Sequence, residues 1–160
     1  MAACTSSLPG EVSDAEALFN QNCETARALI RDFDNEDIEA IRSHFADSAR
    51  WRPTSLGELD AVSLEDKVSE WTAAFAMYDF DLATEELQFL PGVNPETRLP
   101  NGSVRTYFDW DLVRPSTDST DRKSVTITYY ESWDFDSDGK IWFTQVFGDA
   151  TAAMKALNDM

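Results

Sequence analysis

Cysteine is scarce, with Cys4 and Cys23 the only two in 160 residues. One lies in an N-terminal stretch without periodicity and the other in a predicted helix, so a structural disulfide is not expected. Positive charge is scarce as well. Thirteen Lys and Arg stand against thirty Asp and Glu, a formal charge of −17, which repels phosphate backbones and anionic lipid surfaces and argues against nucleic acid as a partner. Histidine occurs once, at His44, and no cysteine–histidine cluster offers zinc a site, so no metal and no cofactor are expected. No run is long and apolar enough to be a transmembrane segment. Glycine-rich phosphate loops, serine or cysteine nucleophile motifs, internal repeats and low-complexity segments are all missing.

The remaining composition describes a folded, acidic chain. Hydrophobic residues make up 42% and aromatics 12%, too much apolar surface for a disordered chain. A chain of 160 residues is most economically one domain burying about two thirds of its unfolded surface. Residues 1–12 read as a loose leader and 13–160 as the domain. The Met1–Ser7 segment, with Cys4, resembles the end of a bacterial lipoprotein signal that lacks its apolar segment. A frayed cytoplasmic N-terminus is the first expectation, and a periplasmic or outer-surface lipoprotein anchored at Cys4 is the alternative.

Ser13 and Glu16 have capping-box spacing, predicting a helix to about Phe33 with Leu18, Phe19, Cys23, Ala26, Leu29, Ile30 and Phe33 on one stripe. Asn35 is positioned to cap a second, shorter helix with Ile38, Ile41 and Phe45 turned inward. Ala49 to Pro53 reads as a short strand stopped by proline. Ser63 and Asp66 mark a third helix start, with Leu64, Val68, Trp71, Phe75 and Tyr78 on its inner face. Asp79 to Val93 is a weak strand, and Val104, Thr106, Phe108, Trp110 and Leu112 form a clear alternating one. A last helical turn or two is expected after Ala150. Helices followed by strands indicate an α+β fold, with three N-terminal helices packed on one face of a curved antiparallel sheet.

The chain's most informative stretch is Val125 to Phe147. Val125, Ile127, Tyr129, Glu131, Trp133 and Phe135 alternate and share one sheet face, and the only polar member is a carboxylate. Ser137-Asp138-Gly139 suits a three-residue hairpin loop with a left-handed glycine. Counting a regular ladder outward from that loop puts Glu131 opposite Gln145 and Tyr129 opposite Phe147, with Ile141, Phe143, Gln145 and Phe147 inward. A one-residue slip instead places Lys140, Trp142, Thr144 and Val146 inward. Asp134 to Ile141 also carries part of the EF-hand calcium spacing. Period-two flanks and Gln145 at the twelfth position favour the hairpin.

Several motifs taken in order resemble the nuclear-transport-factor-two-like superfamily, which includes SnoaL-like polyketide cyclases and ketosteroid isomerases. They are Asp37-Ile38-Glu39-Ala40-Ile41, Phe45 to Trp51, and Phe135-Asp136-Ser137-Asp138-Gly139-Lys140-Ile141. The resemblance covers roughly Ser13 to Asp149 and implies a cone-shaped α+β barrel with an apolar cavity, often in a homodimer. Carried over by position, the isomerase's base aspartate falls on Arg52, its first-helix tyrosine on Leu29, and its protonated aspartate on Glu131. Steroid isomerisation by that mechanism is therefore not expected. An acid in an apolar site, held near its neutral form, is what survives.

The candidate catalytic residues are Glu131 as acid or proton shuttle, Gln145 as its orienting partner, and His44 as an outside choice of base. Trp51, Trp71, Tyr78, Trp110, Tyr129 and Trp133 are candidate ligand-binding aromatics, although core packing explains most of them equally well. The expected ligand is a small hydrophobic or cyclic molecule. If the protein is an enzyme, it would perform cofactor-independent isomerisation, cyclisation, hydration or dehydration. The alternative is a non-catalytic binding or dimerisation module. The outer sheet face, with Tyr107, Tyr130, Trp142 and Val146 among threonines, is apolar enough to predict a homodimer.

Overall fold

The computed structural model describes residues 14–54 and 57–159, so the expected cap at Ser13 and the anchor at Cys4 lie outside the described residues. Helix α1 spans Asp14–Asp34 and buries Cys23, Ala26, Leu29 and Ile30 along the predicted stripe. Cys23 is free, and burial pushes its thiol up to about 11. The end of α1 corrects one expectation. Asn35 does not cap the next helix. Its side chain donates back to the Arg31 carbonyl at 2.8 Å, and Glu36, at φ 54°, closes the helix. The Glu36 and Asp37 amides return to the carbonyls of Phe33 and Asp32, the paired bonds of a left-handed helix stop. Asp37 takes over as N-cap of α2 (Ile38–Ser43), accepting from the Ala40 amide at 3.0 Å.

The strands are β1 (Phe45–Arg52), β2 (Val62–Ser63), β3 (Asp79–Leu82), β4 (Phe89–Val93), β5 (Pro100–Arg114), β6 (Lys123–Phe135) and β7 (Ile141–Phe147). Helix α3 (Leu64–Phe75) follows β2, and its Ser63–Asp66 capping box forms as expected. Tyr78 falls beyond the helix. Helix α4 (Ala150–Asn158) closes the chain, capped by Asp149, with Leu157 fully buried.

The seven strands make one curved sheet in the order β2-β1-β7-β6-β5-β3, with β4 also on β5. The sheet is mixed, because β1 runs parallel to β7 while the other pairs are antiparallel. The weak strand expected over Asp79 to Val93 is two strands, which pair with opposite ends of the 15-residue β5. Val104, Thr106, Phe108, Trp110 and Leu112 are all buried on the inner face of β5. The helices cover that concave face, and the core lies between.

The hairpin loop has the expected form: the Gly139 φ is 73°, and Asp136 Oδ1 accepts the amides of Asp138 and Lys140, each at 2.9 Å. Beyond it the ladder departs from the regular count. Phe135 opposes Ile141, but Asp134 opposes Phe143, so Trp142 is an extra residue on β7. This β-bulge reverses the inward–outward parity of everything after it. Glu131 therefore opposes Val146, and Gln145 opposes Ser132. The expected Glu131–Gln145 pair does not form. Thr144 is buried and Trp142 is 46% exposed.

Candidate functional site

Between α1, α3 and the concave sheet lies a hollow of about 320 Å³, near the lower end of the usual range for small-molecule sites. Its helical wall includes Leu29, Ile30, Phe33, Trp71 and Ala74, and its sheet wall includes Phe108, Trp110, Tyr129, Glu131 and Trp133. The aromatics brace one another. Trp71 meets Phe33 edge-on at 5.1 Å and Trp51 at 5.5 Å, and Phe45 lies 4.8 Å from Trp51, distances typical of favourable ring pairs. A smaller hollow of about 170 Å³ shares Trp51, Thr54, Lys67, Glu70 and Val146 with the first and adds Arg52.

The polar groups in this apolar setting are few. Glu131 lines the hollow, and its carboxyl makes no hydrogen bond among the described residues. Burial pushes it up to about 8, with Lys67 pulling weakly the other way. Some accessible surface remains on Glu131, as expected of a side chain at the wall of a hollow. Burial, and secondarily Glu131, also raises the Tyr129 hydroxyl to about 12. Lys67 is held by Glu70 at 2.5 Å and lies 5.9 Å from the Trp71 ring centre. Trp133 Nε1 and Thr144 Oγ1 are buried and have no hydrogen-bond partner among the described residues.

Of the expected ligand-binding aromatics, Trp51, Trp71, Trp110, Tyr129 and Trp133 line the hollow. Tyr78 does not. Its hydroxyl bonds Asn158 instead, at 2.8 Å from Nδ2 and 3.1 Å from Oδ1, and so fastens α4. His44 is also away from the lining. It is the C-cap residue of α2, with Nε2 2.7 Å from Asp32 Oδ2. Gln145 is outside the lining as well, on the parity reversed by the bulge. Sequence reasoning missed Thr144, Val146, Lys67 and Glu70. The first two belong to the slipped register of β7. Lys67 sits one helical turn before Trp71, a spacing that places both on one helix face. Among the described residues no group of three or more His, Cys, Asp or Glu is placed to hold a metal ion.

No family model matches the sequence, and no curated protein matches it either. Solved structures match the fold throughout. A Silicibacter protein with an inferred polyketide cyclase assignment superposes with a TM-score of 0.67 at 12% identity, covering 88% of this chain and 98% of the other. The chain has the nuclear-transport-factor-two-like fold of SnoaL-like proteins. A nuclear-transport-factor-two-like protein of unknown function from Burkholderia pseudomallei is similar at TM-score 0.63 and 14% identity, over 87% and 98% of the two chains. An LEH-like epoxide hydrolase from M. tuberculosis is similar at TM-score 0.59 and 14% identity, over 86% and 90%. Fold alone does not set function, so the chemistry has to be argued from the residues that line the hollow.

Proposed function

We propose that the protein binds a small hydrophobic or cyclic molecule in the hollow beneath α1 and α3, and that Glu131 is the acid that acts on it. The observation that carries this reading is a carboxyl without a hydrogen-bond partner among aromatic walls, pushed up to about 8 by burial. A carboxyl of that kind is neutral at pH 7 and can donate a proton or a hydrogen bond, as a carboxylate cannot. The chemistry it supports is cofactor-independent isomerisation, cyclisation, hydration or dehydration. This reading leaves out His44 and Gln145, since neither lines the hollow. Structural neighbours described as cyclases and an epoxide hydrolase are compatible with this class of reaction.

Native mass spectrometry of the purified protein, followed by identification of any retained small molecule, supplies the ligand. With a substrate identified, Glu131→Gln should lower kcat at least a hundredfold, the low end of general-acid contributions, with folding unchanged. Turnover in that variant at the wild-type rate removes the assignment. Because the neutral form is the active one, activity should be flat at acid pH and fall as pH rises through about 8.

A second reading concerns assembly. Tyr107, Phe147 and Trp142 are 62%, 48% and 46% exposed, and Tyr130 joins Tyr107 at 4.8 Å and Phe147 at 6.1 Å between ring centres. This aromatic patch on the outer sheet face supports a homodimer formed sheet against sheet. Val146, expected in that patch, faces the hollow instead. A monomer by light scattering at micromolar concentration rejects the dimer and leaves the ligand reading untouched.

A further inference from the structure

The geometry points to Trp133 and Thr144 as a positioning pair that holds the carbonyl oxygen of an uncharged ring ligand, leaving Glu131 free for a second position on the same molecule. This rests on the ligand reading above. Trp133 and Thr144 are direct ladder neighbours across β6 and β7, which brings their side chains to about 5 Å at Cβ. Each is 1% exposed, each lines the hollow, and each carries a polar atom without a partner among the described residues. A buried polar group left unpaired destabilises the fold, so two adjacent ones at the wall of a hollow point to an occupant that pairs them.

The chemistry of the two atoms selects that occupant. An indole N–H only donates, so its partner must be an acceptor. The threonine hydroxyl can donate beside it, and a carbonyl oxygen offers two lone pairs to receive both. An anion is disfavoured, because desolvating it among aromatic walls is costly without a cation to pair it. Lys67, the cation lining this hollow, is already engaged by Glu70. A ketone, ester or lactone remains as the ligand class.

Glu131 lies two residues from Trp133 on the same face of β6, about 7 Å along the strand. The acid therefore faces an atom roughly one ring away from the anchored carbonyl. In this arrangement the carbonyl is gripped by the indole and the hydroxyl rather than by the acid. That separation is also why the parity reversal at Trp142 matters: without it Thr144 would point outward.

1-Tetralone and tetralin, a ketone and its parent hydrocarbon, test the pair on the full chain. Calorimetry should show both binding the wild type. Trp133→Phe and Thr144→Val should each lower the ketone-to-hydrocarbon affinity ratio roughly tenfold, the loss expected for one hydrogen bond. The infrared carbonyl stretch of bound 1-tetralone should lie lower in the wild type than in either variant. Thr144→Val is nearly isosteric, so it keeps the test decisive if Trp133→Phe does not fold. An affinity ratio and a carbonyl stretch that stay constant across these variants overturn the anchor while the ligand reading stands. Failure of both compounds to bind the wild type overturns the ligand reading and the anchor together.

Discussion

Two carboxylates on the outer face of β5 and one on the inner face of β6 meet threonines across the same ladder, with opposite results. Asp109 faces Thr128 and Asp111 faces Thr126. There the hydroxyls donate to the carboxylates at 2.6 and 2.5 Å, on the outer face of the sheet. Glu131 faces Thr106, but that hydroxyl donates to the Gln88 carbonyl at 2.8 Å and is fully buried. The inner carboxyl thus lacks the partner that its outer counterparts keep, and it lies among the aromatic side chains of the hollow. An acid's behaviour here is set by which face it occupies and by where its neighbour's proton is already committed.

The largest effect that can break this comparison is on stability at high pH. The Glu131 carboxyl is raised from 4.5 to about 8, so the folded state binds its proton more tightly than the unfolded chain does. Its contribution is complete below pH 4.5 and is lost as pH rises through about 8. Glu131→Gln removes that loss. At pH 9 the variant should exceed wild type by roughly 5 kcal/mol in urea unfolding, with less than about 1 kcal/mol of difference at pH 5, given about 1.4 kcal/mol per pKa unit. Equal stability of the two proteins at pH 9 breaks the contrast between faces.

Thr106→Val should cost about 0.5–1.5 kcal/mol, because the Gln88 carbonyl loses the hydrogen bond from the buried Thr106 hydroxyl. That cost should be the same at pH 6 and pH 8, since Thr106 supplies nothing to Glu131. A cost that grows with pH would show the hydroxyl serving the carboxyl after all. Asp109→Asn and Asp111→Asn are expected to cost no more than about 1 kcal/mol each, because the amide oxygen still accepts from the facing threonine hydroxyl. A thermal melt showing larger losses would mean that the outer pairs are less solvated than their exposure implies.

Much of this contrast was legible in the sequence. The alternation from Val125 to Phe135 placed Glu131 among aromatics, and Gly139 fixed the loop. The Val104–Leu112 alternation identified the central strand, and the ordered motifs identified the fold. What was not legible has specific causes. Trp142 is large and apolar, so nothing in its identity marks it as the extra residue of a bulge, and a regular ladder put Gln145 where Val146 lies. Asn35 and Asp37 are both good caps. Which of them starts α2 depends on Glu36 adopting φ 54° to end α1. Tyr78 continues the apolar spacing of α3, but the helix stops at Phe75, and the ring is spent on Asn158. The commitment of Thr106 to Gln88 depends on where β4 pairs with β5, a long-range register that no local pattern encodes.

The central claim is that Glu131 is protonated at neutral pH because burial among aromatic side chains disfavours its charged form and no donor reaches it. Infrared difference spectroscopy across a pH titration, with Glu131→Gln as the reference, reads this directly. The account predicts a protonated-carboxyl band that persists at pH 7, disappears with a midpoint near 8 and is missing from the variant. A Glu131 carboxyl already ionised at pH 6 would contradict it.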